Sequence, residues 1–445
     1  MTKTAALPPK AKASHSAMYQ LLRDLHPLHR TINSDDMEKS LQMIGSYVGS
    51  NFKLHHYEPG TPAFTWHVPY RYYVDEAYIE WNGKRFANFS ENNLSVVSYS
   101  VPVDKTVSYE ELRAHVYTSQ SQPNEIPWIF KYYEKTWGFC MRLSEWNTFD
   151  PDGTYRVVIR SRFEKKPFVI GEFVLPGKSR EELLWVSDVC HPNQVNDSIS
   201  GAVVAADLAR ELRKDYDGYY TIRFLFLPET IGSIIWFSQN EDKISKIKYG
   251  MFSEMVGNSN RFLLKTSKQG NELIDRVAKS VLGRHEQFGP TEVVPFMNIV
   301  PGNDEKVMNS IGIDIPTVSI TRWPYPEYHT SADNPGIIDP ERLDEAKSVF
   351  SEIIHILNTN AYPVYLSKGP VFLSRFGLWV EWRDNPKLNG AIQKILFLLD
   401  GGHSVFDISE EVEIDYDTVY TYLRKFEKEK LIRWSRQPEA NQKRK

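Results

Sequence analysis

From Tyr155 to Asn358 short strand-like runs alternate with helix-like stretches, and no other feature of this sequence constrains the fold as strongly. Leu183-Leu184-Trp185-Val186 precedes a helical pattern over 198–212, and Ile222–Leu227, Tyr249–Met255 and Ile315–Ile320 follow as further apolar runs. Strands that alternate with helices predict an open α/β sheet, because each helix covers the apolar face that its neighbouring strands leave bare. Ligands on such sheets bind outside the carboxyl ends of the strands, where loops converge and helix N-termini point inward.

The flanking segments have different textures. Residues 1–14 mix Lys, Ala and Pro without periodicity and read as a leader outside the fold. Between Met18 and Val48, Leu21, Leu22, Leu25, Met37, Leu41 and Ile44 recur at helical spacing around a break near Thr31-Ile32-Asn33, predicting two helices. From about Leu54 to Phe149 come short runs rich in Trp, Tyr, Val and Phe. One of them, Ala77 to Trp81, ends on Asn82-Gly83, a hairpin signal because both turn residues need positive φ. This stretch predicts an inserted β-rich module. Residues 388–437 read as three helices and a strand, with starts at Ser404 and Asp415, a winged-helix outline. The expected divisions are an N-terminal helical part over 15–60, the β module over 61–152, the α/β domain over 153–362 and the winged helix over 380–440.

Composition narrows the class. A formal net charge of -4 over 445 residues provides no global field toward nucleic acid or an anionic membrane. No run approaches the ~18 apolar residues of a membrane span, and the first ten residues lack a secretory apolar block, so a cytoplasmic protein without a membrane partner is expected. The two cysteines, Cys140 and Cys190, are too few for a disulfide framework and read as buried thiols.

Ligand-type residues fall at the predicted strand ends. His191 follows the strand ending at Cys190, Asp197 starts the next helix, Glu229 follows Leu227, Glu254 lies near the end of Tyr249–Met255, and His329 sits in a loop after the last strand. Two imidazoles and up to three carboxylates without a thiolate suit Zn²⁺ and tolerate Mn²⁺ or Co²⁺. Each residue alone has a plainer reading. Asp197 reads as a helix cap, Ser200-Gly201 as close helix–sheet packing, His191 as a satisfied core histidine, and Glu229 as a solvated loop residue. Their co-occurrence at successive strand ends favours a metal site. Arg322 is expected to form a surface salt bridge or, less simply, to meet a substrate carboxylate.

The blocks His191-Pro192, Asn196 to Gly201, Pro228 to Gly232, Ser253 to Gly257 and Tyr328 to Asp333 resemble the motifs of a bacterial aminopeptidase-like domain-of-unknown-function family. That group is similar to the co-catalytic zinc aminopeptidases, which also include glutaminyl cyclases. The resemblance extends to an inserted β domain and a C-terminal winged helix. It implies one metal position formed by His191, Asp197 and Glu254, with Asp197 bridging toward a second position that holds His329. Glu229 takes the place of the general base. Thr230 stands where a glutamate ligand is expected, so one tightly bound Zn²⁺ and a weak or absent second site follow, with His329 either completing the first position or contacting the substrate. The implied reaction is hydrolysis of an amide bond in a small peptide or N-acyl amide, with Glu229 taking the proton of the attacking water and delivering it to the leaving amine.

Two other classes compete. One is a winged-helix regulator with a ligand-sensing α/β domain; residues 388–445 carry ten Lys or Arg and ten Asp or Glu, and Asp415 and Asp417 open the would-be recognition helix. That charge disfavours DNA and favours a protein-contact or homo-oligomer role for this module or the β module. The other is a catalytically weak metal-binding scaffold, against which the retained Glu229 speaks.

Overall fold

The structure is a computed structural model and describes residues 17–287, 289–298 and 302–439. The leader over 1–14 and the terminal Lys443-Arg444-Lys445 lie outside the described residues. The chain divides into two compact units, one up to Ser351 and one from Glu352.

Within the first unit the described residues form an eight-stranded mixed sheet. Its centre is four parallel strands in the spatial order Thr221–Leu227, Glu182–Asp188, Ile247–Ser253 and Thr317–Thr321. Antiparallel strands Phe168–Leu175 and Lys53–Tyr57 extend one edge, and Leu263–Lys265 and Glu292–Val294 extend the other. The central strands are buried along almost their whole length, as expected where helices cover both faces. Side chains alternate across the pleat. Leu184 and Val186 pack with Ile231, Trp236 and Met308, whereas Trp185 stacks on Phe350 at 4.2 Å between ring centroids. Helix Ile199–Leu212 comes so close to the sheet that a Cβ on Gly201 would lie 2.1 Å from the Ser253 carbonyl oxygen, which only glycine permits.

The two N-terminal helices, Ala17–Leu25 and Asp35–Val48, form where the periodicity places them; Ser34 caps the second by accepting from the Met37 amide. The β module has its own four-stranded sheet, with long strands Arg71–Trp81 and Thr154–Glu164 at its centre, the second lying past the expected bound at 152. Asn82 and Gly83 form its two-residue turn with φ of 49° and 71°. An aromatic cluster of Trp81, Phe86, Phe149 and Tyr155 fills the module's interior.

The second unit contains helices Pro386–Phe397, Val405–Val412 and Tyr416–Lys428 and an antiparallel pair, Tyr362–Tyr365 with Ile432–Ser435. Ser404 and Asp407 form a capping box, and Asp415 caps the last helix. Both cysteines are buried and unpaired. No helix among the described residues is long and apolar enough to cross a membrane. Arg322 departs from expectation. It is neither on the surface nor in the cleft but 1% exposed, bound to Glu345 beside Arg342 and lying over the Phe262 ring, because its guanidinium also donates to the Val256 and Asn260 carbonyls that it holds in place.

Candidate metal centre

All five candidate residues lie beyond the carboxyl ends of the four parallel strands. The register aligns those ends: Asp188 faces Leu227, Ser187 faces Ser253, and Ser253 faces Ile320. Whatever leaves one strand therefore meets what leaves its neighbours.

His191, Asp197 and His329 come together, each offering a ligand atom within 4.8 Å of the others. His329 Nε2 is 3.0 Å from Asp197 Oδ2, and His191 Nδ1 is 3.7 Å from Asp197 Oδ1. Glu229 approaches from the neighbouring strand end, its Oε2 3.5 Å from His191 Nε2. Glu254 is buried just past its strand and lies outside that group of three. Its carboxylate accepts from Asn303 Nδ2, yet it is near enough to Asp197 and Glu229 to feel both charges. Thr230, whose φ is 60°, turns its hydroxyl toward Glu229 Oε1 at 3.5 Å, and its amide donates to Asp304.

The electrostatics follow from burial. Desolvation lowers His191 to about 4, so the ring is neutral near pH 7 and keeps a nitrogen lone pair. Burial, then the charges of Asp304 and Asp197, push Glu229 up to about 8. Burial and the same kind of crowding, led by Asp197, raise Glu254. Asp197 is lowered: burial acts against its charge, and the two histidines outweigh burial. His191 Nε2 is buried with no hydrogen-bond partner among the described residues. A neutral, orphaned imidazole nitrogen, an ionised aspartate and a second imidazole within one ion's reach fit a divalent cation of the zinc type.

The supporting shell contains residues to which sequence reasoning gave no role. Asp333 accepts from three consecutive amides, those of Val195, Asn196 and Asp197, and from the Tyr325 hydroxyl, fixing the loop that carries Asp197. It closes the quoted motif Tyr328 to Asp333, which was the available signal. Fully buried Arg30 donates to the carbonyls of Val189, His191 and Gln194, clamping the His191 loop from the N-terminal segment. Asp304 receives Ser233 Oγ and the Thr230 amide and so anchors the turn beneath Glu229. Trp128, from the β module, packs edge-on against both His191 and His329, with centroids 4.2 Å and 4.7 Å away. A lone tryptophan in an aromatic-rich stretch gives no sequence signal for this.

Comparison with known proteins bears on the family and the fold. The model of the domain of unknown function family DUF4910 matches residues 19–360. A Clostridium acetobutylicum protein, provisionally named a polysaccharide biosynthesis protein with aminopeptidase-like domain, is 32% identical over 411 residues, covering 90% of this chain and 92% of its own. A crystal structure from the same organism, provisionally called a peptidase, superposes with a TM-score of 0.85 at 30% identity and covers 94% of this chain and 96% of its own. A zinc aminopeptidase from Bacillus subtilis shares the fold at a TM-score of 0.60 and 15% identity, over 79% of this chain and 96% of its own.

Proposed function

This chain belongs to the DUF4910 family, whose aminopeptidase-like fold marks a peptidase-like hydrolase, and from that premise we propose that it is a zinc-dependent amidohydrolase acting on small peptides or N-acyl amides. The observation that carries the proposal is the meeting of His191, Asp197 and His329 within one ion's reach, with Glu229 beside them.

Those three residues, with Glu254 adjoining, would hold the ion. Zinc there would supply Lewis acidity toward water and the scissile carbonyl. Glu229 does the proton work: burial and the neighbouring carboxylates hold it near 8 without an ion, a bound cation would favour its ionised form, and in that form it takes the proton of the attacking water and hands it to the leaving amine. Asp197 keeps its charge and orients His329, while Asp333 and Arg30 hold the loop that positions Asp197 and His191. Thr230 places a neutral hydroxyl where a second carboxylate ligand would be needed, so a single tightly held ion is proposed.

We read the second unit's three helices and strand pair as a winged helix used for protein contact or self-association. Asp415 and Asp417, at the start of its last helix, oppose a DNA phosphate backbone. The test of the main reading is a screen of aminoacyl and N-acyl amides with added Zn²⁺, Mn²⁺ or Co²⁺. Metal-dependent release of amine supports the reading, and no turnover of any member by metal-loaded protein contradicts it.

A further inference from the structure

Beyond Glu229 the cleft continues. A cavity of about 390 Å³ beside Cys190 and Glu229 and a second of about 590 Å³ share three walls, Trp66, Thr230 and Lys306. Lys306 therefore stands at their junction, on the short helix Asp304–Met308. Its neighbours on that helix are engaged elsewhere: Asp304 accepts from the Thr230 amide and from Ser233, and Glu305 pairs with Lys265 at 3.0 Å. Successive helix positions turn by about 100°, and the Lys306 side chain is left exposed where the two cavities meet.

Charge singles this lysine out. Of the cations that line the smaller cavity, Lys131 is neutralised by Glu134 at 2.9 Å, whereas Lys306 has no ion pair among the described residues. Its ammonium donates to the Gly302 carbonyl at 3.2 Å. Glu241, on the wall of the larger cavity, forms no ion pair with it among the described residues. The remaining residues, 1–16, 288, 299–301 and 440–445, include no Asp or Glu. Burial, Asp304 and Asp197 raise Glu229, and the charge of Lys306 opposes them, so the ammonium acts on the group that moves the proton.

The chemistry says which part of a substrate comes here. Glu229 hands its proton to the leaving nitrogen, so that nitrogen sits at Glu229 and its substituent extends into the cavities that adjoin it. In a peptide cut at its last bond, the leaving nitrogen carries a free carboxylate one carbon away. A carboxylate brought among Glu229, Asp304 and Glu241 is repelled unless a cation receives it. We propose that Lys306 receives the free carboxylate of the substrate's leaving part and so determines specificity. The substrates are then amides whose released amine is an amino acid: short peptides cut at their last bond, or N-acyl amino acids. This inference rests on the amidohydrolase reading above and adds the charge of the released product.

The test is calorimetric titration of the full-length zinc-loaded protein with two probes. One is the phosphinic analogue of alanylalanine, in which a zinc-binding phosphinate replaces the amide; the other is the same compound with a carboxamide at its carboxyl end. The unaltered chain should bind the acid about tenfold more tightly than the carboxamide, the size of one charge-assisted hydrogen bond. That preference should shrink as salt rises. K306M should remove the preference, weakening the acid about tenfold more than the carboxamide, and K306R should keep part of it, with zinc content and circular dichroism as controls on folding. Equal binding of the two probes by the unaltered chain overturns the carboxylate assignment whether or not any variant folds. A K306M that keeps the preference, or that weakens both probes equally, overturns the role of Lys306. Those results leave the amidohydrolase reading standing, because the phosphinates still bind. Zinc-loaded protein that binds neither probe, or protein that takes up no zinc, overturns that reading and this inference together.

Discussion

Two buried charged clusters occupy opposite ends of the same central strands, and they are built on opposite principles. Near the amino ends, Arg223 reaches Glu182 at 2.7 Å and 2.9 Å and Glu172 at 2.5 Å, and His55 adds a contact to Glu172 at 3.0 Å. Burial there works against the Glu172 carboxylate, but His55 and Arg223 outweigh it and hold the group at about 2. Near the carboxyl ends, Asp197, Glu229 and Glu254 have no Lys or Arg ion pair among the described residues. Their close basic neighbours are imidazoles, of which His191 is neutral near pH 7, and Lys306, whose charge reaches Glu229 without forming an ion pair. One cluster carries its own cation; the other has carboxylates in excess. Such an excess is costly in a protein interior and becomes favourable when a divalent cation completes it.

The largest effect expected concerns chemistry. Glu229→Gln should lower turnover about 10²- to 10⁴-fold, the range for losing a general base, with zinc content unchanged by elemental analysis. A variant retaining near-full activity would remove Glu229 from that role.

Next in size is a contrast in stability between the clusters. Arg223→Met strands two buried carboxylates and should cost roughly 3–5 kcal/mol in denaturant unfolding. Glu254→Gln in metal-free protein replaces a carboxyl that burial and crowding already hold toward its neutral form, so it should leave the thermal midpoint nearly unchanged at neutral pH, whereas with zinc added it should lower the midpoint. If both variants destabilised the metal-free protein alike, the contrast would be wrong.

The pH dependence sharpens the same point. Glu229 has a folded-state value near 8, above its ordinary 4.5, so between those pH values the folded chain binds more protons than the unfolded one. Stability of metal-free protein should therefore fall as pH rises from about 5 to 8, and zinc should flatten that slope. Glu172 runs the other way: its value is depressed, so its contribution is present above about 4.5 and is lost as pH falls toward about 2. Thermal melts across pH, with and without zinc, read both slopes.

Much of this was legible in the sequence because strand-end chemistry is local. The apolar runs before His191, Glu229 and Glu254 mark strands, and parallel strands of similar length deliver their carboxyl ends to one place. The turn at Asn82-Gly83 and the caps at Ser404 and Asp415 are local as well. What depends on distant contacts was not readable. Trp128 earns its place through bonds between segments such as Ile126 and Ser331, 205 residues apart. Arg322 has a surface residue's composition but a core environment, which only tertiary packing sets. Asn303, which donates to the Glu254 carboxylate, carried no signal of its own.

The central claim is that the cluster at the carboxyl ends is completed by a metal ion, and elemental analysis of purified protein beside its Asp197→Ala variant tests it most directly. The unaltered chain should carry about one zinc and the variant almost none, as expected when an inner carboxylate ligand is lost. Equal metal content in the two proteins would contradict the account.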